Sequence, residues 1–218
     1  MDRSSLRPGM FLGLVLAVAV LPLFGCQSFL VTAMYLLNGN EVDADFPGLK
    51  GKKVAVVCRP LVTLQYCNTG VARDLAEQVT VLLKKNVPKI QVIDQRKVVK
   101  WTDENAWEEY REVGKAVKAD IVVGIDLESF GIFQGQTLYQ GKANAMISVY
   151  DSEKKWKKVF EKIMPQCTYP PSTGVPASER VEAEFRREFV AVLADQIARH
   201  FYSHEPYPDV AQDATALK

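Results

Sequence analysis

Histidine is almost absent from this chain of 218 residues: only His200 and His204 occur. No HExxH, CxxC, GxSxG or glycine-rich phosphate loop is present, which excludes the common zinc, dithiol, serine-hydrolase and nucleotide motifs. The i, i+4 spacing of the two histidines suits a metal pair on one helical face. A third ligand at motif spacing is missing, however, and surface histidines favoured by a helix dipole are the expected reading. No cofactor and no metal site are expected.

An excess of charge is missing too. The whole chain carries 27 basic and 26 acidic residues. Removing residues 1–25 takes away Arg3, Arg7 and Asp2, leaving 25 of each sign and a net charge of zero. Such a chain has no global field to attract nucleic acid. Internal repeats and low-complexity tracts are also lacking, and about 160 residues remain for a single core, a usual size for one domain.

One charge-free stretch is informative. Arg3 and Arg7 precede Met10–Phe24, which holds no charged residue and runs into Leu23-Phe24-Gly25-Cys26. A basic start, an apolar run and a small residue before the cut describe an export signal. The cysteine directly after it resembles a bacterial lipobox, although Phe24 is bulkier than usual at its position. That resemblance implies removal of residues 1–25 and lipidation of Cys26 with diacylglycerol and fatty acid such as palmitate. Aspartate after the cysteine is the inner-membrane retention signal of enteric bacteria; Gln27 stands there, which implies an outer-membrane lipoprotein facing the periplasm. An ordinary secretory signal and an uncleaved inner-membrane anchor are the alternatives. Met10–Leu37 is long enough to span a bilayer, but Pro22, Gly25, Gln27 and Ser28 interrupt it.

With Cys26 lipidated, Cys58, Cys67 and Cys167 remain, an odd number that leaves at least one thiol free or paired with another chain. A Cys58–Cys67 disulfide and two unpaired, partly buried thiols are both open. Next to Cys26, the residues Phe29, Leu30, Val31, Leu36 and Leu37 form an apolar segment expected to contact the membrane, because a single lipid chain binds only marginally. The rest of 26–53, rich in glycine and charge from residue 38, reads as a linker.

The folded domain is expected over 54–202. Val54–Cys58 is a buried-strand pattern, Val71, Leu75, Val79, Leu82 and Leu83 recur at helical spacing up to Pro88, and Ile90–Asp94 reads as a second strand. A helix is expected around 104–118 with Asp103 as its N-cap. Ile121–Leu127 is strand-like, and Gly135 marks the turn of a long hairpin returning through Lys142–Tyr150. Trp156–Met164 reads as a further strand, and the prolines of 165–177 argue against regular structure there. Val181, Phe185, Phe189, Leu193, Ile197 and Phe201 define a long final helix, followed by a disordered tail over 203–218. The fold class is α/β (α+β): one mixed sheet of about five strands, in the order β-α-β-α-β-β-β-α.

Lys53–Val57, Gln91–Asp94 and Gly114–Gly124, with the hairpin and final helix, make residues 52–202 resemble a group of small envelope domains. It comprises the curli secretion lipoprotein CsgG, the TolB amino-terminal domain and the penicillin-binding-protein activator LpoB. The resemblance implies a non-catalytic module that binds or assembles with a protein or cell-wall partner. A pore is not expected: Leu127–Tyr150 is the one candidate membrane hairpin, and Lys142, Asn144 and Ser148 stand on its outward face. The competing reading is a secreted enzyme using Cys67 or Cys167 as nucleophile with His200 or His204 as base. Asp126 and Glu128, two apart on one strand face, read as solvated, and Trp101, Trp107 and Trp156 as core or interface anchors.

Overall fold

Side-chain alternation along the first strand divides the interior in two. In the computed structural model, which describes residues 41–60 and 70–206, β1 (Lys53–Pro60) sends Val54 and Val56 into a large cluster and Ala55 and Val57 into a smaller one on the opposite face. This is the signature of a central strand covered on both sides. α1 (Val71–Asn86) buries Val71, Leu75, Ala76, Val79 and Leu83 in the large cluster, with Lys84 and Lys85 in its last turn, where cations complement the helix dipole.

β2 is short (Gln91–Val92) and pairs in parallel with β1. Two helices follow where one was expected. α2 (Gln95–Glu104) begins at Asp94, whose carboxylate accepts a bond from the Arg96 N–H at 2.9 Å. α3 (Tyr110–Ala116) starts after Glu109. Asp103 is therefore not an N-cap but the ninth residue of α2, and the break falls at 105–109. Both helices pack on the smaller cluster through Val98, Tyr110 and Val113.

β3 (Ile121–Gln134) pairs in parallel with β1 and antiparallel with β4 (Leu138–Asp151). Gly135, at the expected turn, has φ +67°, which a residue without Cβ adopts at least cost. Register shifts near Leu127/Ser129 and Gly131/Phe133 mark bulges that bend this long ribbon. β5 (Lys157–Ile163) completes the path β2-β1-β3-β4-β5. The proline-rich stretch also supplies strands: β6 (Cys167–Tyr169) and β7 (Val175–Pro176) pair with the same edge of β4 further along. Proline is tolerated there because these are short edge segments. The result is an α+β fold with a mixed sheet, as expected, in the order β-α-β-α-α-β-β-β-β-β-α.

α4 (Glu182–Ala198), prolonged by the 3-10 turn Arg199–Phe201, runs along the large cluster beside α1. Phe185 stacks on Tyr139 and Phe189 on Phe130, while Phe201 meets Phe46 and Phe160. Helix and β4 therefore run side by side from the hairpin toward Val149, the partner of Phe160.

The segment before β1, expected to be linker, belongs to the packing from Val42 onward. Leu49 is fully buried and Phe46 packs against the core. Val42 and His204 exchange backbone bonds of 2.7 and 3.0 Å, so the chain beyond residue 202 is ordered at least to this bridge. Among the described residues no helix is long and apolar enough to cross a membrane.

Candidate functional site

At the carboxyl end of β1, which stays paired with β3 as far as Pro60, the described residues of α1 and α2 leave a groove of about 500 Å3. Open α/β sheets place ligands at this end of their parallel strands, because the helices on either face diverge there. The floor is Val56–Arg59; Ala76, Arg73 and Val99 form the sides, and Trp107 closes one end. Arg73 reaches across from α1 to both carboxylate oxygens of Asp103 on α2, at 2.8 Å each. Gln95 Nε2 donates to the Val56 carbonyl at 2.9 Å, while Gln95 Oε1 is buried without a hydrogen-bond partner among the described residues.

Beside it lies a charged network that sequence reasoning did not assemble. Arg59 Nε donates to Asp126 Oδ1 at 2.9 Å, its Nη2 lies 2.8 Å from the same oxygen as an ion pair, and the Tyr110 hydroxyl donates to that oxygen at 2.9 Å. Arg59 Nη1 donates to the Glu108 carbonyl, and its guanidinium carbon lies 5.0 Å from the Tyr110 ring centroid and 5.8 Å from that of Trp107, within cation–π range. Burial opposes the Arg59 charge, but Asp126 and the neighbouring tyrosines outweigh it and raise its pKa. Burial, then the Asp126 charge, pushes the Tyr110 hydroxyl far up. Gly124 makes room for this arrangement: a Cβ there would come within 2.8 Å of the Tyr110 ring.

Asp126 is therefore not the solvated residue expected; its side chain is 17% exposed and engaged through Oδ1, whereas Glu128 is exposed. The strand register explains why. Arg59 stands directly opposite Asp126 in the parallel β1–β3 pair, so the two meet on the face that α3 covers. Trp101, Trp107 and Trp156 all pack against the smaller cluster as anchors.

The thiol–imidazole reading is not assembled by these residues. His200 Nδ1 lies 2.5 Å from Asp45 Oδ2, and His204 Nδ1 bonds the Tyr202 carbonyl at 3.2 Å. The helix ends in a 3-10 turn at Phe201 and Tyr202 is extended, so the two histidines do not share a helical face. His200 is not a free surface group either: burial lowers its pKa more than Asp45 raises it, and Lys162, 2.5 Å from the same carboxylate, adds to the lowering. Cys167 is buried on β6 and burial pushes its thiol up to about 12; burial and the Asp126 charge push Cys58 higher still. Neither environment generates the thiolate a nucleophile needs. Among the described residues no group of three or more metal-ligating side chains comes together. Cys26, Phe29, Leu30, Val31, Leu36, Leu37 and Cys67, with the expected Cys58–Cys67 pairing, lie outside the described residues.

Fold and groove together define a small α+β domain with a mixed sheet and an open cleft at the carboxyl end of its first parallel strand. No protein-family model matches the chain, and no curated protein matches its sequence. Among solved structures it is similar to the PelC dodecamer from Paraburkholderia phytofirmans, at 13% identity over 71% of this chain and 92% of that one, TM-score 0.42. It is also similar to lipoprotein GNA1162 from Neisseria meningitidis, at 12% identity over 67% and 96%, TM-score 0.40. A third is a minor lipoprotein from Acinetobacter baumannii, at 15% over 72% and 99%, TM-score 0.34.

Proposed function

We propose that this protein is an exported, lipid-anchored module of the bacterial envelope that binds or assembles with a protein or cell-wall partner and performs no catalysis of its own. The observation that carries the reading is the charge-free run Met10–Phe24 ending in Gly25-Cys26. Cleavage before Cys26 and its acylation anchor the chain, and Phe29–Leu37 adds apolar contact with the membrane interface. Gln27 directs the protein to the outer membrane, facing the periplasm. The raised thiol pKa values and the engagement of both imidazoles elsewhere favour a binding role over cysteine catalysis. The groove between α1 and α2 is the place for a partner segment.

Metabolic labelling with an alkyne fatty acid marks the wild type and not Cys26→Ala; equal labelling of both removes the lipid anchor. A photo-crosslinking residue at Thr102, on the groove wall, captures one discrete envelope partner that the same residue at exposed Lys142 does not. Identical capture from both positions contradicts the groove assignment.

A further inference from the structure

The lysines are unevenly placed although the mature chain is neutral. The strand register puts Val92, Val54, Ile121, Asp151 and Lys157 in one row across the sheet, with Lys53 and Gln91 paired one step beyond it, at the amino ends of its parallel strands. Loops at this end hold Lys50, Lys89, Lys118, Lys154 and Lys155, and Lys157 opens β5; all are exposed. Three carboxylates stand among them, and each is engaged: Asp120 accepts from the Lys53 N–H at 2.8 Å, Asp151 from the Glu153 N–H at 2.9 Å, and Glu153 pairs with Lys52 at 2.5 Å. Lysine also occupies turn positions that do not favour it. Lys89, Lys118 and Lys155 have φ of 59°, 57° and 57°, in the left-handed region that glycine or asparagine enters more readily. Three separate turns at one end of the sheet thus carry a lysine where a residue without charge would fit with less strain.

The chain enters the domain close to this end. Phe46 packs on Phe160 and Phe201, and the strand partner of Phe160, Val149, stands two residues from the row. Fifteen residues, 27 through 41, separate Cys26 from Val42, so the tether reaches at most about 55 Å when fully extended. We propose that the lysine row is a membrane-docking surface, whose ligand is the anionic phospholipid headgroup layer. Resting on the lipid-anchor reading above, it supplies the second signal that a lipidated protein needs for firm attachment. A short tether entering near a basic end favours that end meeting the bilayer, leaving the groove at the opposite, carboxyl end of β1 open to the periplasm.

The test uses the mature chain with Cys26→Ala, so that no acyl chain contributes and a failure of lipidation is not mistaken for a failure of docking. Co-sedimentation is measured with vesicles of phosphatidylcholine alone and with one part phosphatidylglycerol to three parts phosphatidylcholine. Binding to the anionic vesicles exceeds binding to the neutral ones and weakens with salt. The triple variant Lys89→Asn, Lys118→Asn, Lys155→Asn, in which asparagine suits the left-handed turns and keeps the fold, reduces anionic binding about tenfold or more. A control with the same charge change elsewhere, Lys97→Gln, Lys100→Gln, Lys142→Gln, stays within about twofold of the parent, as charges away from the bilayer are screened over about 10 Å. Equal loss in both triple variants, or no loss in either, overturns the proposal. Lysine-dependent binding to soluble polyphosphate with none to the anionic vesicles overturns it in favour of an anionic polymer.

Discussion

Replacing Asp126 with Ala tests how the sheet and α3 are tied together beside the groove. The change deletes an oxygen that accepts from Arg59 Nε and the Tyr110 hydroxyl and pairs with Arg59 Nη2. The two partners do not lose equally. The Arg59 side chain is 42% exposed and rehydrates, so its share is at most about 1 kcal/mol. Tyr110 is only 3% exposed, and its stranded hydroxyl costs about 1–3 kcal/mol. Asp126→Ala is expected to destabilise the protein by about 2–3 kcal/mol, lowering Tm by roughly 5–10 °C for a domain of this size. Tyr110→Phe removes the hydroxyl as well as its need for a partner and costs about 1 kcal/mol. In the Tyr110→Phe background Asp126→Ala therefore costs less, with a coupling of about 1 kcal/mol in a double-mutant cycle followed by chemical denaturation. Additive single effects, or an Asp126→Ala variant within about 0.5 kcal/mol of wild type, a usual range for substitutions at open surface sites, would mean that Asp126 does not hold Tyr110 in the fold.

Gly124→Ala drives a methyl group against the Tyr110 ring and is expected to cost about 1–3 kcal/mol by overpacking, read as a lowered Tm. The His200 pKa is lowered in the fold, mainly by burial, so protonation favours the unfolded chain; stability is full above about pH 6.5 and falls as acid is added. Asp45, held low chiefly by Lys162, adds a second loss only below about pH 4, and His200→Gln flattens the upper part of a Tm-against-pH curve while leaving the lower part. Replacing Leu30, Val31, Leu36 and Leu37 with Ser loosens membrane association without changing the Tm of the domain; a marked fall in Tm assigns the segment to the fold instead.

Elements with a wide apolar stripe were legible in the sequence. α4 repeats a large apolar residue every four positions and buries Phe185, Phe189, Leu193 and Ile197, and Gly135 announced its turn through the residue type the backbone needs. α2 escaped because its apolar face is narrow: Val98 is its single fully buried residue, and Asp94 reads equally well as the end of a strand. The order in Phe46–Leu49 escaped because two apolar residues among glycine and charge carry no period, and their partners Phe160 and Phe201 are distant in the chain. β6 and β7 were hidden by proline, whose cost vanishes on short edge strands. The Arg59–Asp126–Tyr110 network could not be read from spacing at all, since it depends on the β1–β3 register. The same register assembles the lysine row from four separate turns.

Intact-mass and peptide mass spectrometry of the mature protein, purified from bacterial membranes, tests the lipid-anchored reading most directly. Residues 1–25 are expected to be absent and Cys26 to be the first residue, carrying a thioether-linked diacylglycerol. A mature chain starting elsewhere, or an unmodified Cys26 within an intact amino-terminal segment, would contradict that reading.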